Sequence, residues 1–299
     1  MKRRSIVILA MWVLASATGW VHAEDLVLFS AAQAGADIWI WGTARVKASG
    51  GALLVTERNP EADYGDAHVA DRFPYFAGGR VELDVAETTG RYTLQALAFR
   101  GEDYLESIDL ARDTDVTGVQ SFNLAQQTFP AETDHLMFKL WVGGGEAAQA
   151  TVNDLRYVLP IAEGSLLLDK RFDTATGAEP DHARWVPGPD GGTMTLSGDQ
   201  EYGSVLLPDV IRKPRQGLIL MDAVVSNGTV TAQLVMFDSN RDYIESKDAI
   251  ERAGSGFSTA RLDTMVWPAN AAHFQLKLWL AGNPDCSARI RRIVVVDQP

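Results

Sequence analysis

Tryptophan, tyrosine and carboxylate side chains are the residues of this sequence best suited to bind a hydroxyl-rich ligand. An aromatic ring offers a flat apolar face, and a carboxylate accepts hydrogen bonds from hydroxyl groups. Tyr104 and Glu106 stand two residues apart, and Tyr243 and Glu245 repeat that spacing. The full set of candidate ligand-binding residues is Trp39, Trp41, Tyr104, Glu106, Trp141, Trp185, Tyr243, Glu245, Trp267 and Trp279.

The spacing predicts which of these side chains lie together. Successive side chains of a strand point to opposite faces, so Tyr104 and Glu106 are predicted to share one face, with Leu105 towards the core. The same reasoning applies to Tyr243 and Glu245, with Ile244 between them. A tyrosine beside a carboxylate suits a hydroxyl-rich ligand, and the alternative is an ordinary solvated strand face.

The tryptophans carry an equally plain alternative, because buried Trp is common in β-sandwich cores. Trp39 and Trp41 are predicted to lie on the same side of one strand. Trp141 and Trp279 stand inside apolar strands, which favours a core position. Trp267 precedes a proline, which leaves a loop position and a core position equally open.

The chain is a tandem duplication. The same interval separates His135 from His273 and Trp141 from Trp279 (273 − 135 = 279 − 141 = 138), and we call it the repeat offset. A single His per copy, without a nearby Cys or second His, is a poor metal site, so both are interpreted as structural. Lys139 and Lys277, in the repeated Lys-Leu-Trp strand, are predicted either to face outward beside a ligand or to pair with Glu106 and Glu245.

The N-terminus and the charge bear on compartment and partners. A basic start, an apolar run and Val21-His22-Ala23 predict a signal peptide over residues 1–23, with a retained membrane anchor as the alternative. The formal net charge of −12 would become −12 − 3 = −15 after cleavage. This charge disfavours nucleic acid and anionic lipid as partners. The sequence therefore predicts a secreted or periplasmic protein without a membrane span after cleavage.

Short apolar runs of period two, separated by turn residues, predict an all-β fold of two tandem antiparallel β-sandwich (jelly-roll) domains. The predicted domains are residues 24–160 (the first repeat) and 161–299 (the second repeat), joined by a short linker that places them in contact. Residues 248–252 are the stretch that could form one helical turn. The single cysteine, Cys286, cannot form an internal disulfide and is either buried or an exposed thiol.

The order of motifs resembles the jelly-roll carbohydrate-binding modules of the galactose-binding-like type. Each repeat has a Gly-Gly pair and then Tyr64-Gly65 or Tyr202-Gly203, followed by the Asp-Tyr-x-Glu-Ser hairpin and the Leu-Trp strand. The opening Arg171-Phe172-Asp173 with Trp185, and the closing segment 152–155, also resemble that family. Many of its members hold a structural calcium, which the resemblance would place at Asp154 and Asp173. The match is broken, because Phe29-Ser30 and Arg291-Arg292 stand where oxygen ligands are expected.

The sequence thus favours an exported, non-catalytic protein that binds carbohydrate, with no cofactor beyond a possible calcium. An alternative is an interaction or structural protein that contacts another exported protein. A third possibility is a polysaccharide-cleaving enzyme, for which Glu106 and Asp109 are the nearest pair of carboxylates. Motifs of serine hydrolases, zinc proteases and phosphate-binding loops do not occur in the sequence.

Overall fold

The computed structural model describes residues 23–34, 39–49, 52–57, 64–145, 147–174, 177–252 and 254–297. The predicted signal segment lies outside these residues except for Ala23, and so does the side chain of Trp41. The described chain is nearly all β-structure, which confirms the predicted fold class. It contains no helix long and apolar enough to cross a membrane.

Among the described residues, the first sheet of the first repeat holds six antiparallel strands. Their order is β10-β7-β12-β4-β3, with β1 also paired to β12. The strands are β1 (Ala23–Ser30), β3 (Ala44–Ser49), β4 (Ala52–Glu57), β7 (Arg80–Thr89), β10 (Gly118–Asn123) and β12 (Gln149–Ala162). A four-residue helix, α1 (Ala31–Ala34), follows β1, and a short 3-10 helix (Leu124–Gln126) follows β10.

The second sheet of the first repeat also holds six strands in the part of the chain that the structure describes. Their order is β2-β5-β11-β8-β9, with β6 also paired to β11. The strands are β2 (Trp39–Trp41), β5 (Tyr64–Val69), β6 (Phe73–Pro74), β8 (Arg91–Arg100), β9 (Asp103–Thr114) and β11 (His135–Gly143).

Alternation along the central strand β11 separates the core of this sandwich from its outer surface. Leu136, Phe138 and Leu140 are fully buried between the two sheets. Lys139 and Trp141 therefore point away from the core, because side chains alternate along a strand. The expectation that Trp141 is a core residue is wrong, and its half-buried ring lies on the outer face of the second sheet.

The second repeat contains the same strands in one ten-stranded antiparallel sheet. Two strands are long enough to pass through both layers, so β19 replaces β7 and β8, and β22 replaces β11 and β12. The strands are β13 (Leu166–Arg171), β14 (Glu179–Asp181), β15 (Ala183–Val186), β16 (Gly192–Leu196), β17 (Tyr202–Leu206), β18 (Ile211–Arg212), β19 (Gly217–Phe237), β20 (Tyr243–Arg252), β21 (Ser255–Arg261) and β22 (His273–Asp297). The helical turn predicted for residues 248–252 is wrong, since they end β20 and pair with β19.

The two repeats share an apolar core. Leu218, Leu220 and Val294 on the outer face of the second repeat belong to the same cluster as the core of the first repeat. The intervening Ile219 and Met221 pack into the core of the second repeat instead. The start of β19 is consequently buried on both faces, which explains the apolar run over residues 218–221. The short linker and contact predicted between the repeats agree with this packing.

The corresponding face of the first repeat is charged. The residues one repeat offset before Leu218, Leu220 and Val294 are Arg80, Glu82 and Arg156. Arg80 pairs with Glu82 at 2.9 Å and with Asp25 at 2.7 Å. The apolar outer surface formed by Leu218, Leu220 and Val294 is thus specific to the second repeat. β12 runs to Ala162 and β13 begins at Leu166, whereas the boundary after residue 160 stays a prediction.

Candidate functional site

Five side chains occur twice, on the outer face of the second sheet of the first repeat and on the matching face of the second repeat. We call each set an aromatic face. Four pairs are separated by the repeat offset, and the aspartates by one position more, because the second hairpin loop is longer by one. The sets are Tyr64, Gln95, Asp109, Lys139 and Trp141 in the first repeat, and Tyr202, Gln233, Asp248, Lys277 and Trp279 in the second repeat.

Hydrogen bonds and ring contacts hold the first aromatic face together. Trp141 Nε1 donates to Gln95 Oε1 at 2.7 Å, and Gln95 Nε2 donates to Asp109 Oδ1 at 2.7 Å. The Lys139 ammonium lies 3.9 Å from the centroid of the Trp141 ring. The Tyr64 ring meets the same indole edge-on, with centroids 4.9 Å apart. The amide of Gln95 therefore orients both the indole and the carboxylate.

The second aromatic face repeats these contacts. Trp279 Nε1 donates to Gln233 Oε1 at 3.0 Å, and Gln233 Nε2 donates to Asp248 Oδ1 at 2.8 Å. The Lys277 ammonium lies 4.2 Å from the Trp279 ring centroid, and the Tyr202 ring lies 6.3 Å from it. Tyr64 and Tyr202 are 54 % and 55 % exposed, so each face presents a tyrosine ring to solvent beside a fixed carboxylate and ammonium.

One position near the lysine differs between the two faces. Lys139 forms an ion pair with Asp66 at 2.9 Å, and the Thr43 hydroxyl donates to the same carboxylate at 2.9 Å. Burial by itself raises the pKa of Asp66, but the hydrogen bonds from Lys139 and Thr43 outweigh it and hold that pKa below its usual value. Ser204 occupies the equivalent position, one repeat offset later. Of the two arrangements predicted for Lys139, pairing with Glu106 is therefore wrong, because Asp66 is its partner.

A β-bulge places Tyr104 and Glu106 on opposite faces, so the prediction that they share one is wrong. Tyr104 pairs with Phe99, but Glu106 pairs with Ala98, because Leu105 is an extra residue in the strand. The Tyr104 hydroxyl instead lies 2.8 Å from the Ser107 hydroxyl. Leu105 does pack against the core, as predicted.

The second hairpin carries the same bulge. Tyr243 pairs with Phe237, whereas Glu245 pairs with Met236, a core residue. Glu245 forms its ion pair with Lys247 at 2.8 Å, rather than with the predicted Lys277. Tyr243 is 63 % exposed, so the tyrosine remains available to a ligand although the predicted tyrosine–carboxylate pair does not form.

The three remaining tryptophans with described side chains are packed into the structure. Trp39 is buried in the core. Trp185 packs edge-on against Phe172 with ring centroids 5.3 Å apart. Trp267 packs against the second core, and its indole N–H donates to the Leu262 carbonyl at 2.7 Å. The burial of Trp39 contradicts its predicted place in a ligand site, whereas Trp185 and Trp267 are half-buried and their place in such a site stays a prediction.

The residues at the predicted calcium position of the first repeat do not fit a cation. Asp154 is buried, and its carboxylate accepts from the Ser30 hydroxyl at 3.0 Å and from the Ala32 N–H at 2.9 Å. Arg156 donates to it at 2.7 Å. A guanidinium and an N–H group supply positive charge where calcium would require further oxygens.

The predicted position in the second repeat does not fit a cation either. Asp173 is exposed at a cleft that Arg171 and Arg291 also line. Among the described residues, no three His, Cys, Asp or Glu side chains cluster in a way that could hold a metal ion. Cys286 is buried, and burial raises the pKa of its thiol.

That cleft encloses about 710 Å³ between the repeats. Arg292 pairs with Asp169 through two contacts of 2.7 Å and donates to the Val27 carbonyl of the first repeat at 2.5 Å. Arg291 pairs with Asp222 at 2.6 Å, and burial still raises the pKa of that carboxyl. The contact with Val27 joins the repeats, and the two ion pairs neutralise Arg291 and Arg292.

Sequence reasoning missed Tyr64, Gln95 and Asp109 as members of one set with Trp141. The repeat offset was the available signal, since it relates Tyr202, Gln233 and Trp279 to Tyr64, Gln95 and Trp141. Lys139 also signalled the orientation of the indole, because a lysine two residues before Trp141 shares its face and favours solvent.

Comparisons with known proteins place the chain in no family. No protein-family model matches it, and no curated protein matches it. The tandem CBM22-1–CBM22-2 domain from the N-terminus of Paenibacillus barcinonensis Xyn10C is 11 % identical, with a TM-score of 0.32, over 91 % of this chain and 98 % of that chain. An allantoicase is 10 % identical, with a TM-score of 0.24, over 82 % of this chain and 81 % of that chain. The glycoside hydrolase domain of Endo-D from Streptococcus pneumoniae R6 is 12 % identical, with a TM-score of 0.26, over 87 % of this chain and 36 % of that chain. At TM-scores below 0.5 these similarities assign no ligand and no activity.

Proposed function

We propose that the protein binds carbohydrate through its two aromatic faces and does not cleave it. The observation that carries the proposal is the same five-residue geometry on the outer surface of both repeats. A sugar has an apolar C–H face that can stack on Tyr64 or Tyr202, and hydroxyl groups that can hydrogen-bond to a carboxylate and an ammonium. These groups are held in place by neighbours, which lowers the entropy lost on binding.

The distribution of carboxylates supports binding without hydrolysis. Glycoside hydrolysis requires two carboxylates flanking the scissile bond. The set common to both faces contains one, Asp109 or Asp248, and each accepts a hydrogen bond from its glutamine. The nearby Asp66 has no carboxylate counterpart, because Ser204 replaces it. Duplication has therefore retained a binding geometry without retaining an acid pair.

The test is a glycan array followed by calorimetry on the glycans that bind. The variant Tyr64→Ala/Tyr202→Ala removes the exposed rings, and we expect its affinity to fall about tenfold or more. Tyr104→Ala/Tyr243→Ala is a matched control, because these tyrosines are similarly exposed. Tyr64 lies level with Gly143 of β11, and Tyr104 lies level with His135 of the same strand. The two tyrosines are therefore eight residues apart along the sheet, or roughly 26 Å.

The outcomes decide whether the protein binds carbohydrate and at which end of the sheet the ligand lies. Loss of binding in the Tyr64/Tyr202 variant alone supports the proposal. Loss in the Tyr104/Tyr243 variant alone would move the ligand to the other end of the sheet. Absence of any glycan bound by the wild type, or unchanged binding in both variants, would refute the carbohydrate assignment.

The second candidate function is binding of another exported protein. β10 pairs only with β7 among the described strands, and Val119 on it is 70 % exposed. An exposed edge strand with an apolar side chain can pair with a strand of a partner. Charge introduced by Val119→Lys would abolish a complex formed in this way and leave glycan binding intact.

We also propose that the protein is exported, on the strength of its signal-like N-terminus. N-terminal sequencing of protein recovered from the periplasm or medium tests this, with Glu24 expected as the first residue. Recovery of an intact chain from the membrane fraction would support the retained anchor instead.

A further inference from the structure

A second cavity, of about 420 Å³, lies where the two repeats meet. The first repeat contributes Arg72, His135 and Met137 to its lining, and the second repeat contributes Arg252 and Phe257. His135 and Met137 alternate with the core residues of β11 and so share the outer face that carries Trp141. The cavity therefore lies on the same outer face of the second sheet as the first aromatic face, at the other end of β11, and residues of the second repeat close it.

Most charged groups around this cavity have an opposite charge close by. Arg72 forms an ion pair with Glu102 at 2.6 Å, and Asp71 lies 3.6 Å from Arg291. Arg252 is different, because no carboxylate of the described residues lies within the 4.0 Å that defines an ion pair. Arg252 is therefore the arginine of this lining that forms no ion pair with a described carboxylate.

The Arg252 side chain lies against Gly256, and its guanidinium has no hydrogen-bond or ion-pair partner among the described residues. Its Nε is buried without a hydrogen-bond partner among the described residues. One Nη atom lies 3.0 Å from the point where a Cβ on Gly256 would stand, so the glycine leaves room for the guanidinium. Gly256 also has a φ of +118°, which side-chain-bearing residues rarely adopt. The equivalent position in the first repeat is Thr114, so this arginine is not a feature of the duplicated fold.

We propose that this cavity binds the carboxylate of an acidic sugar, with Arg252 as its partner. A guanidinium presents two parallel N–H groups that match the two oxygens of a carboxylate. A volume of about 420 Å³ lies within the range of small-molecule sites, which are common at domain junctions. His135, whose Nδ1 lies 2.7 Å from Asp134, leaves its other ring nitrogen for a sugar hydroxyl.

The experiment is a calorimetric titration of the full chain with sodium glucuronate, glucose and sodium sulfate at fixed ionic strength. We expect glucuronate to bind the wild type at least tenfold more tightly than either of the others. Arg252→Gln should remove that preference. Arg184→Gln is the matched control, since Arg184 is an exposed strand arginine of the second repeat outside the cavity, and it should leave the preference unchanged.

Several results would overturn the proposal. Equal affinity for glucuronate and glucose would remove the role of charge, and tighter binding of sulfate would exclude a carboxylate site. Retention of the preference in Arg252→Gln would exclude Arg252. If that variant does not fold, the Nε–H signal of Arg252 in the wild-type NMR spectrum decides, because glucuronate must shift it and glucose must not.

The site is separable from the aromatic faces. It rests on the proposed carbohydrate function only for the sugar part of the ligand, because the carboxylate contact depends on Arg252 alone. Tyr64→Ala/Tyr202→Ala should leave the preference for glucuronate intact. Loss of neutral glycan binding in that variant, with glucuronate binding retained, would show that the two sites act independently.

Discussion

The substitution Leu220→Ala tests whether the two repeats are stabilised by a shared core. Leu220 is 2 % exposed and belongs to the apolar cluster that includes the core of the first repeat. Its neighbour Ile219 points into the core of the second repeat. A truncation at Leu220 therefore removes contacts between the repeats and leaves the second core itself filled.

The expected loss of stability follows from this burial. Replacing Leu by Ala removes three carbons, which corresponds to about 2.4 kcal/mol at about 0.8 kcal/mol for each buried carbon. The cavity left behind adds to this, and measured Leu-to-Ala losses at buried sites span about 2–5 kcal/mol. We therefore expect the free energy of unfolding to fall by about 3 kcal/mol, or roughly a hundredfold in the unfolding equilibrium constant.

Urea unfolding followed by tryptophan fluorescence measures this change. Val119→Ala is the control, because Val119 is 70 % exposed on the corresponding outer face of the first repeat. We expect the control to change the unfolding free energy by no more than about 0.5 kcal/mol. A similarly small change for Leu220→Ala would refute a shared core and would mean that the repeats do not pack on this surface.

Three further predictions concern Asp66, Asp154 and Trp279. Asp66→Asn should destabilise the protein at neutral pH, because the ionised Asp66 carboxylate stabilises the folded state. Since the folded-state pKa of Asp66 is lowered below 3.8, this stabilisation is fully present above pH 3.8 and is lost as the pH falls through the folded-state pKa. The melting temperatures of the variant and the wild type should therefore converge at that low pH. Added calcium should leave the melting temperature unchanged within about 1 °C, since Arg156 already pairs with Asp154, and a rise of several degrees would contradict that interpretation. Trp279→Phe keeps a ring but removes an indole hydrogen bond, so it should lower the unfolding free energy by about 1 kcal/mol in a urea titration, and no change would show that this bond is not stabilising.

The repeat and the strand alternation were readable from the sequence because both are properties of spacing. A constant repeat offset identifies equivalent positions without any knowledge of the fold. The orientation of Trp141 is ambiguous in the sequence because both faces of its strand carry large apolar side chains, and Lys139 is the residue that marks the outer face.

The bulge at Leu105 could not be read in the same way. Strand periodicity assumes one residue on each strand for every pair, and one extra residue reverses the side of everything that follows it. Only the pairing of Tyr104 with Phe99 and of Glu106 with Ala98 reveals that insertion. The separation of the tyrosine from its glutamate follows directly from this pairing.

The sequence by itself determined the fold class, the duplication and the supply of aromatic and charged residues, because these depend on composition and on spacing within one strand or one repeat. The tertiary structure decided which aromatic rings face solvent, which carboxylate meets Lys139, and that Arg252 lines the cavity where the repeats meet. Those relations join residues far apart in the chain. Their physical origin is the register between strands and the burial of Leu220 and its neighbours between the repeats.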